Sequence, residues 1–238
     1  MSVLSYAKPE ETFFLNVKDK KAHKVANEYE RNFLTFGDSE YSGIDHKQAD
    51  LVAELNEEDV TFTHQKGTFS SSLSRNYNSG SYATSFAVST SVALWMGIPE
   101  QDITEVIGSF EGLQGRMQEK ELEGRILIDN SNSGMDISSA EKALDYALSR
   151  HVADDAAMIM ILGEEAAQVC EGLPPEQVLD FAQRRSADLS GLILVGERMQ
   201  DIGNGNFIYA SGIEQGLEIA KEIASQKDII LSCVKCFR

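Results

Sequence analysis

Short apolar runs alternate with polar, glycine-containing stretches along the whole chain, and the spacing between them changes twice. Thr12 to Val17 (TFFLNV) and Asn32 to Gly37 (NFLTFG) are apolar runs of strand length, and the polar stretch from Lys18 to Glu30 between them has helical character. From Asp50 to Leu73 the runs are LVAEL, VTFTH and GTFSSSL, separated by EED and QKG, which is the pattern of antiparallel hairpins. Tyr82 to Met96 is rich in Ala, Ser and Val and reads as a helix closed by Gly97; Pro99 opens a second helix through Ile107. Small residues on nearly every side of the first helix suit burial against a sheet.

After Arg116 the pattern is different. Arg125 to Asp129 (RILID) is an apolar strand ending in an acid, and the polar loop NSNSGMD leads into a helix from Ser138 to about Ser149. AMIMILG (Ala157 to Gly163) and GLILVG (Gly191 to Gly196) are apolar runs ending in glycine, and Asn206 to Tyr209 and Asp228 to Leu231 are shorter ones. Helical stretches near Pro175 to Arg185 and Ile213 to Ala224 fall between them. Apolar strands alternating with amphipathic helices predict a parallel, doubly wound sheet. The change of pattern puts a domain boundary near Gly115 to Leu122, and no repeat or low-complexity segment interrupts either side.

Composition narrows the function classes. A chain of 238 residues that is 42% hydrophobic can bury a sizeable core. Its mean hydropathy is -0.25, no run approaches the roughly 18 apolar residues of a membrane span, and MSVLSYAKPEE lacks the pattern of a secretory signal. Three cysteines do not make a disulfide framework, so a cytoplasmic protein is expected. The net charge of -17 disfavours a phosphate-backbone partner, which argues against nucleic acid.

Few residues offer chemistry by themselves. The loop Asp129, Asn130, Ser131, Asn132, Ser133, Gly134 lies where doubly wound folds bind ligands, at the carboxyl end of a strand. It reads either as a polar ligand clamp or as an Asx turn and helix cap. Arg116 follows GLQG at the expected boundary and suits a phosphate or carboxylate, or an ordinary ion pair. Cys233 and Cys236 spell C-x-x-C, but there is no second pair, the histidines (His23, His46, His64, His151) are scattered and Cys170 is distant. No metal site is expected. Ile202 to Asn206 is a glycine-rich turn without G-x-G-x-x-G, and no G-x-x-x-x-G-K-[ST] occurs, so the chain carries no phosphate loop.

The order of these segments resembles the Mur ligase family over nearly the whole chain. PEETFFLNVKD (Pro9 to Asp19) is similar to P-x-G-x-x-V-L-N-x-D-D. LTFG, the hairpins, AVSTSVALWMGI, FEGLQGRMQ, GRILIDNSNSG and DIILSCVKCFR then stand in the family's order. The resemblance implies an α/β protein in two parts: residues 1–115 as the C-terminal part of the ATP-binding central domain, a mixed sheet with antiparallel hairpins, and 116–238 as a complete Rossmann-like C-terminal domain. It implies use of ATP and magnesium to activate a substrate carboxylate as an acyl phosphate. Asn16 then lies near adenine, Arg116 contacts the nucleotide phosphates, and Asp129 holds the ribose and the hinge. Asn130, Ser131, Asn132 and Lys235 fall to the substrate, and no residue is assigned a catalytic role.

This sequence departs from the pattern at Lys18-Asp19, where the family has D-D, and at SYATSF, where it has H-N-x-x-N-A. DNSNSGMD stands where the amino-acid-adding enzymes carry D-Y-A-H-x-P or D-S-K-A-T-N. Within the family, the DNSNSG loop and VKCFR are most similar to the methanogen ligases that complete the nickel tetrapyrrole factor F-430 by an ATP-driven ring closure. That implies a tetrapyrrole carboxylate as substrate and a companion N-terminal half, or self-association, to supply the phosphate loop. The rival readings are a non-catalytic binding or scaffold protein, an inactive fragment, or an amide ligase of archaeal cell-wall peptides.

Overall fold

The computed structural model describes residues 8, 10–28, 32–38, 49–150, 156–165, 172–202 and 207–237. Pro9, His46, His151, Cys170 and most of the turn at 202–206 lie outside the described residues. The chain divides into two compact units, Met1–Glu111 and Gly112–Arg238. Among the described residues no helix is long and apolar enough to cross a membrane.

The first unit is a five-stranded mixed sheet in the order β1-β2-β3-β4-β5. β1 (Thr12–Asn16), β2 (Asn32–Asp38) and β3 (Leu51–Leu55) run parallel. β4 (Asp59–His64) and β5 (Gly67–Ser72) continue as the expected hairpins. The short α1 (Lys20–Ala26) begins at Asp19, whose carboxylate accepts from the amides of Lys21 and Ala22 and so satisfies two donors at the helix start.

α2 (Ala83–Trp95) and α3 (Glu100–Gly108) pack on the sheet around Phe36, Val60, Phe62, Phe86 and Ile107. The many small residues of α2 do not mean burial on every side. Only one stripe is buried (Ala83, Phe86, Ala87, Thr90, Ser91), with the i, i+3, i+4 spacing of a single helix face, and Trp95 ends the helix 56% exposed. The helix stops in a Schellman motif. Ile98 N–H bonds to Ala93 O and Gly97 N–H to Leu94 O, and Gly97 takes φ 80°, which a side chain would resist.

The second unit is a six-stranded sheet in the order β10-β9-β8-β11-β7-β6. β7 (Arg125–Asp129), β8 (Met158–Glu164), β9 (Gly191–Val195), β10 (Ile208–Ala210) and β11 (Ile229–Lys235) are parallel, while β6 (Gln118–Leu122) is an antiparallel edge. α4 (Ile137–Ser149) and α5 (Pro175–Arg184) cover one face through Leu144, Val178 and Phe181. α6 (Ile213–Ile223) covers the other through Ile213 and Ala220. A sheet buried on both faces explains why β8 is apolar from Met158 through Leu162 rather than alternating. Phe181 and Leu144, fully enclosed, each contribute roughly 1.5–3 kcal/mol by leaving water. The parallel arrangement brings the carboxyl ends of β7, β8, β9 and β11 to one edge, where Asp129, Glu164 and Lys235 stand.

Candidate functional site

The polar loop after β7 is built by its own side chains. Asp129 is only 4% exposed; one of its oxygens accepts from Ser131 N–H at 3.1 Å, an Asx turn that bends the chain off the strand. Asn130 donates to Ser139 Oγ at 3.1 Å, reaching across to α4. Ser131, fully buried, shares a 2.8 Å bond with Ser232 Oγ of β11 and accepts from Val234 N–H at 3.1 Å. Asp136 then caps α4 by accepting from Ser139 N–H at 2.7 Å. The turn-and-cap reading therefore describes much of what these side chains do.

Asn132 does more than shape the turn. Its amide donates to Gly115 O at 2.8 Å and to Asn130 O at 3.0 Å, and its side-chain oxygen accepts from Gly134 N–H at 3.0 Å. Its carbonyl accepts from Met135 N–H and from Cys236 N–H. The carboxamide and the backbone carbonyl of this one buried residue thus join GLQGR, DNSNSG and the terminal VKC. Gly115 has φ 68°, and a Cβ there would come 2.0 Å from Ser131 O, so only glycine lets the Arg116 segment lie this close to the loop. Arg116 itself is exposed, and its Nη1 would be 3.5 Å from a Cβ placed on Gly134. An exposed guanidinium over a rigid loop suits an anionic oxygen.

Lys235 is half-buried at the end of β11, and its carbonyl accepts from Glu165 N–H at 2.9 Å. The two cysteines beside it do not converge: Cys233 packs in the core on the α4–α5 face and Cys236 on the α6 face. Burial pushes the Cys233 thiol far above its ordinary range; a bond to Asn130 opposes this and the Asp129 charge adds to it. Among the described residues no group of three His, Cys, Asp or Glu side chains is placed to hold a metal, so the residues present do not by themselves form a magnesium cage.

Two features escape the sequence pattern. Glu164, buried at the end of β8, accepts from Leu173 N–H at 2.7 Å and lies 3.4 Å from Arg198, whose guanidinium also donates to Leu173 O. In the first unit, half-buried Asn16 accepts from Lys18 N–H at 2.9 Å, leaving its amide nitrogen to donate elsewhere. The Lys18 ammonium pairs with Asp38, a fully buried carboxylate that also accepts from Thr84 Oγ1 at 2.7 Å. An acid directly after a strand-ending Gly37 was the one available signal for Asp38.

A mixed sheet with hairpins followed by a doubly wound sheet is the architecture of the Mur ligases. The chain superposes on MurF ligase from Thermotoga maritima in complex with ADP with a TM-score of 0.66 at 17% identity, covering 95% of this chain and 50% of that one. It superposes on E. coli FolC in complex with DHPP and ADP with a TM-score of 0.67 at 15% identity, covering 97% and 51%. Residues 119–236 match the family described as "Coenzyme F430 synthetase CfbE, C-terminal domain". The chain is also 45% identical over 242 residues to Coenzyme F(430) synthetase of Methanosarcina acetivorans, covering 98% of this chain. It spans 51% of that relative's length.

Proposed function

We propose that this chain is the C-terminal half of an ATP-dependent Mur-type ligase that activates a carboxylate of a nickel tetrapyrrole in coenzyme F430 biosynthesis. The observation that supports it most is Asn132, which ties together three of the segments that carry the family resemblance and holds Arg116 beside the loop. The 45% identity to Coenzyme F(430) synthetase supports the substrate class.

Within this reading Arg116 holds an anionic oxygen of the nucleotide or of the phosphorylated carboxylate, in fork geometry that neutralises charge gathering at phosphorus. Asn16 donates its free amide N–H to the base, and Lys18 with buried Asp38 fixes the turn that aims it. Asp129 and Asn132 set the loop, while Asn130, Ser131 and Lys235 border the space for the substrate. When bound, ATP supplies the phosphoryl group that turns the carboxylate into a leaving-group-bearing acyl phosphate. A ring carbon of the same substrate gives up a proton to solvent and attacks the carbonyl; the carbon–carbon bond forms as the carbon–oxygen bond to phosphate breaks, so no amino-acid acceptor is required. Catalysis of this kind is mostly placement and charge neutralisation.

In this reading the phosphate loop and the magnesium ligands belong to an N-terminal half of the ligase. The test is phosphate release from ATP with a nickel tetrapyrrole acid, using this chain alone, the N-terminal half alone and both together. Turnover is expected only from the pair. Arg116→Ala is expected to lower it by at least about a hundredfold while thermal stability shifts by less than about 2 °C, because the side chain is exposed. Wild-type turnover by the variant would remove Arg116 from the site.

A further inference from the structure

A cavity of about 550 Å3 opens in the first unit at the end of the sheet where β3 begins. Leu34, Leu51, Leu94, Trp95 and Ile98 give it an apolar wall. Trp95 is 56% and Ile98 39% exposed, so the indole and the isoleucine stand at the lip rather than in the core. The volume is that of a small-molecule site.

Two carboxylates and one lysine line this cavity. Glu100 projects from the first turn of α3, 47% exposed, with one oxygen 3.0 Å from His64 Nε2. Asp50 lines the same wall, but its oxygens are occupied by Thr35 N–H, Thr35 Oγ1 and Gln65 Nε2 at 2.8 Å each, leaving Glu100 as the carboxylate available to a ligand. The carboxyl terminus of α2, the negative pole of that helix, also faces in through Leu94, Trp95 and Gly97. Against these stands Lys66 at the tip of the β4–β5 turn.

We propose that this cavity binds a small organic cation, an aromatic or branched apolar body carrying one positively charged nitrogen. The body fills the apolar wall. The nitrogen lies between the Glu100 carboxylate and the Trp95 ring, gaining an ion pair and a cation–π contact. An anion of the same shape would meet repulsion from Glu100, Asp50 and the α2 terminus, opposed by Lys66, on a chain of net charge -17. The cavity is lined by residues of the first unit alone, and the inference does not depend on the proposed ligase function.

Trp95 is the chain's only tryptophan and therefore reports on the site directly. Phenethylammonium chloride and sodium phenylacetate, matched in body and opposite in charge, are titrated at equal ionic strength while Trp95 emission is followed. A saturable change with phenethylammonium is expected, at least about tenfold tighter than with phenylacetate. Glu100→Gln, at an exposed position, is expected to weaken phenethylammonium binding about tenfold with an unchanged circular dichroism spectrum. No saturable change with the cation, equal affinity for the anion, or unaltered affinity in a folded Glu100→Gln variant would overturn the proposal.

Discussion

Tyr77 shows what a single buried group does to this fold. Its ring packs against Tyr82 and Phe110, with centroids 4.9 and 5.2 Å away, and its hydroxyl is buried without a hydrogen-bond partner among the described residues. Burial, then the neighbouring Tyr82 and Glu111, push its pKa up from 10.0 to about 12. The folded chain therefore keeps a proton that the unfolded chain loses. Stability is unaffected by this group below pH 10.0 and falls as pH rises toward about 12. Tyr77→Phe removes both the unmet hydroxyl and the titration. It is expected to be neutral or stabilising by up to about 1 kcal/mol at pH 8, and to flatten the alkaline loss. Urea unfolding at pH 8 and pH 11 measures both, and a variant as pH-sensitive as the wild type would rule Tyr77 out as the cause.

At the scale of elements, the loop after β7 and the end of β11 form one hydrogen-bonded piece. Removing either Ser131 or Ser232 alone leaves the other hydroxyl buried and short of a partner, costing about 1–3 kcal/mol. Removing both is expected to cost about 1 kcal/mol less than the sum of the single losses. A double-mutant cycle by urea denaturation measures the difference, and strict additivity would show that the bond contributes nothing.

The same elements show why some of the structure is legible in the sequence. β8 and β9 are buried on both faces, so they appear as unbroken apolar runs. β6 reads QEKEL and gives no such sign, because an edge strand keeps charged residues toward water. β11 runs past its apolar stretch because Ser232 is satisfied by Ser131, 101 positions earlier, a contact no local window contains. The position of the Asp129 loop follows from the strand-end rule for doubly wound sheets. Its closure by Asn132 onto Gly115 and Cys236 depends on tertiary pairing, as does the Lys18–Asp38–Thr84 cluster. Arg116 is a candidate through its place after GLQG and through resemblance to a family, not through periodicity, since an exposed arginine leaves no hydrophobic trace.

For the whole molecule, the two units differ in how fully they enclose their own cores. The second has apolar clusters on both faces of its sheet, so a fragment of residues 112–238 is expected to unfold in one cooperative urea transition. The first ends in β1, whose five residues are all half-buried and include Phe13, Phe14 and Leu15. A fragment of residues 1–111 is therefore expected to self-associate or to be cut rapidly by protease. Sedimentation and limited proteolysis of the two fragments decide this, and a protease-resistant monomer of 1–111 would contradict it.

The central claim is chemical: a substrate carboxylate, placed beside Arg116 and the Asn132 loop, loses one oxygen to phosphate. It is tested most directly by supplying the chain and its N-terminal half with unlabelled ATP and a nickel tetrapyrrole whose reacting carboxylate carries oxygen-18. Mass analysis of the released phosphate is expected to find one heavy oxygen for each ring closed, transferred through the acyl phosphate. Unlabelled phosphate accompanying ring closure, or the heavy oxygen appearing in AMP, would contradict the account.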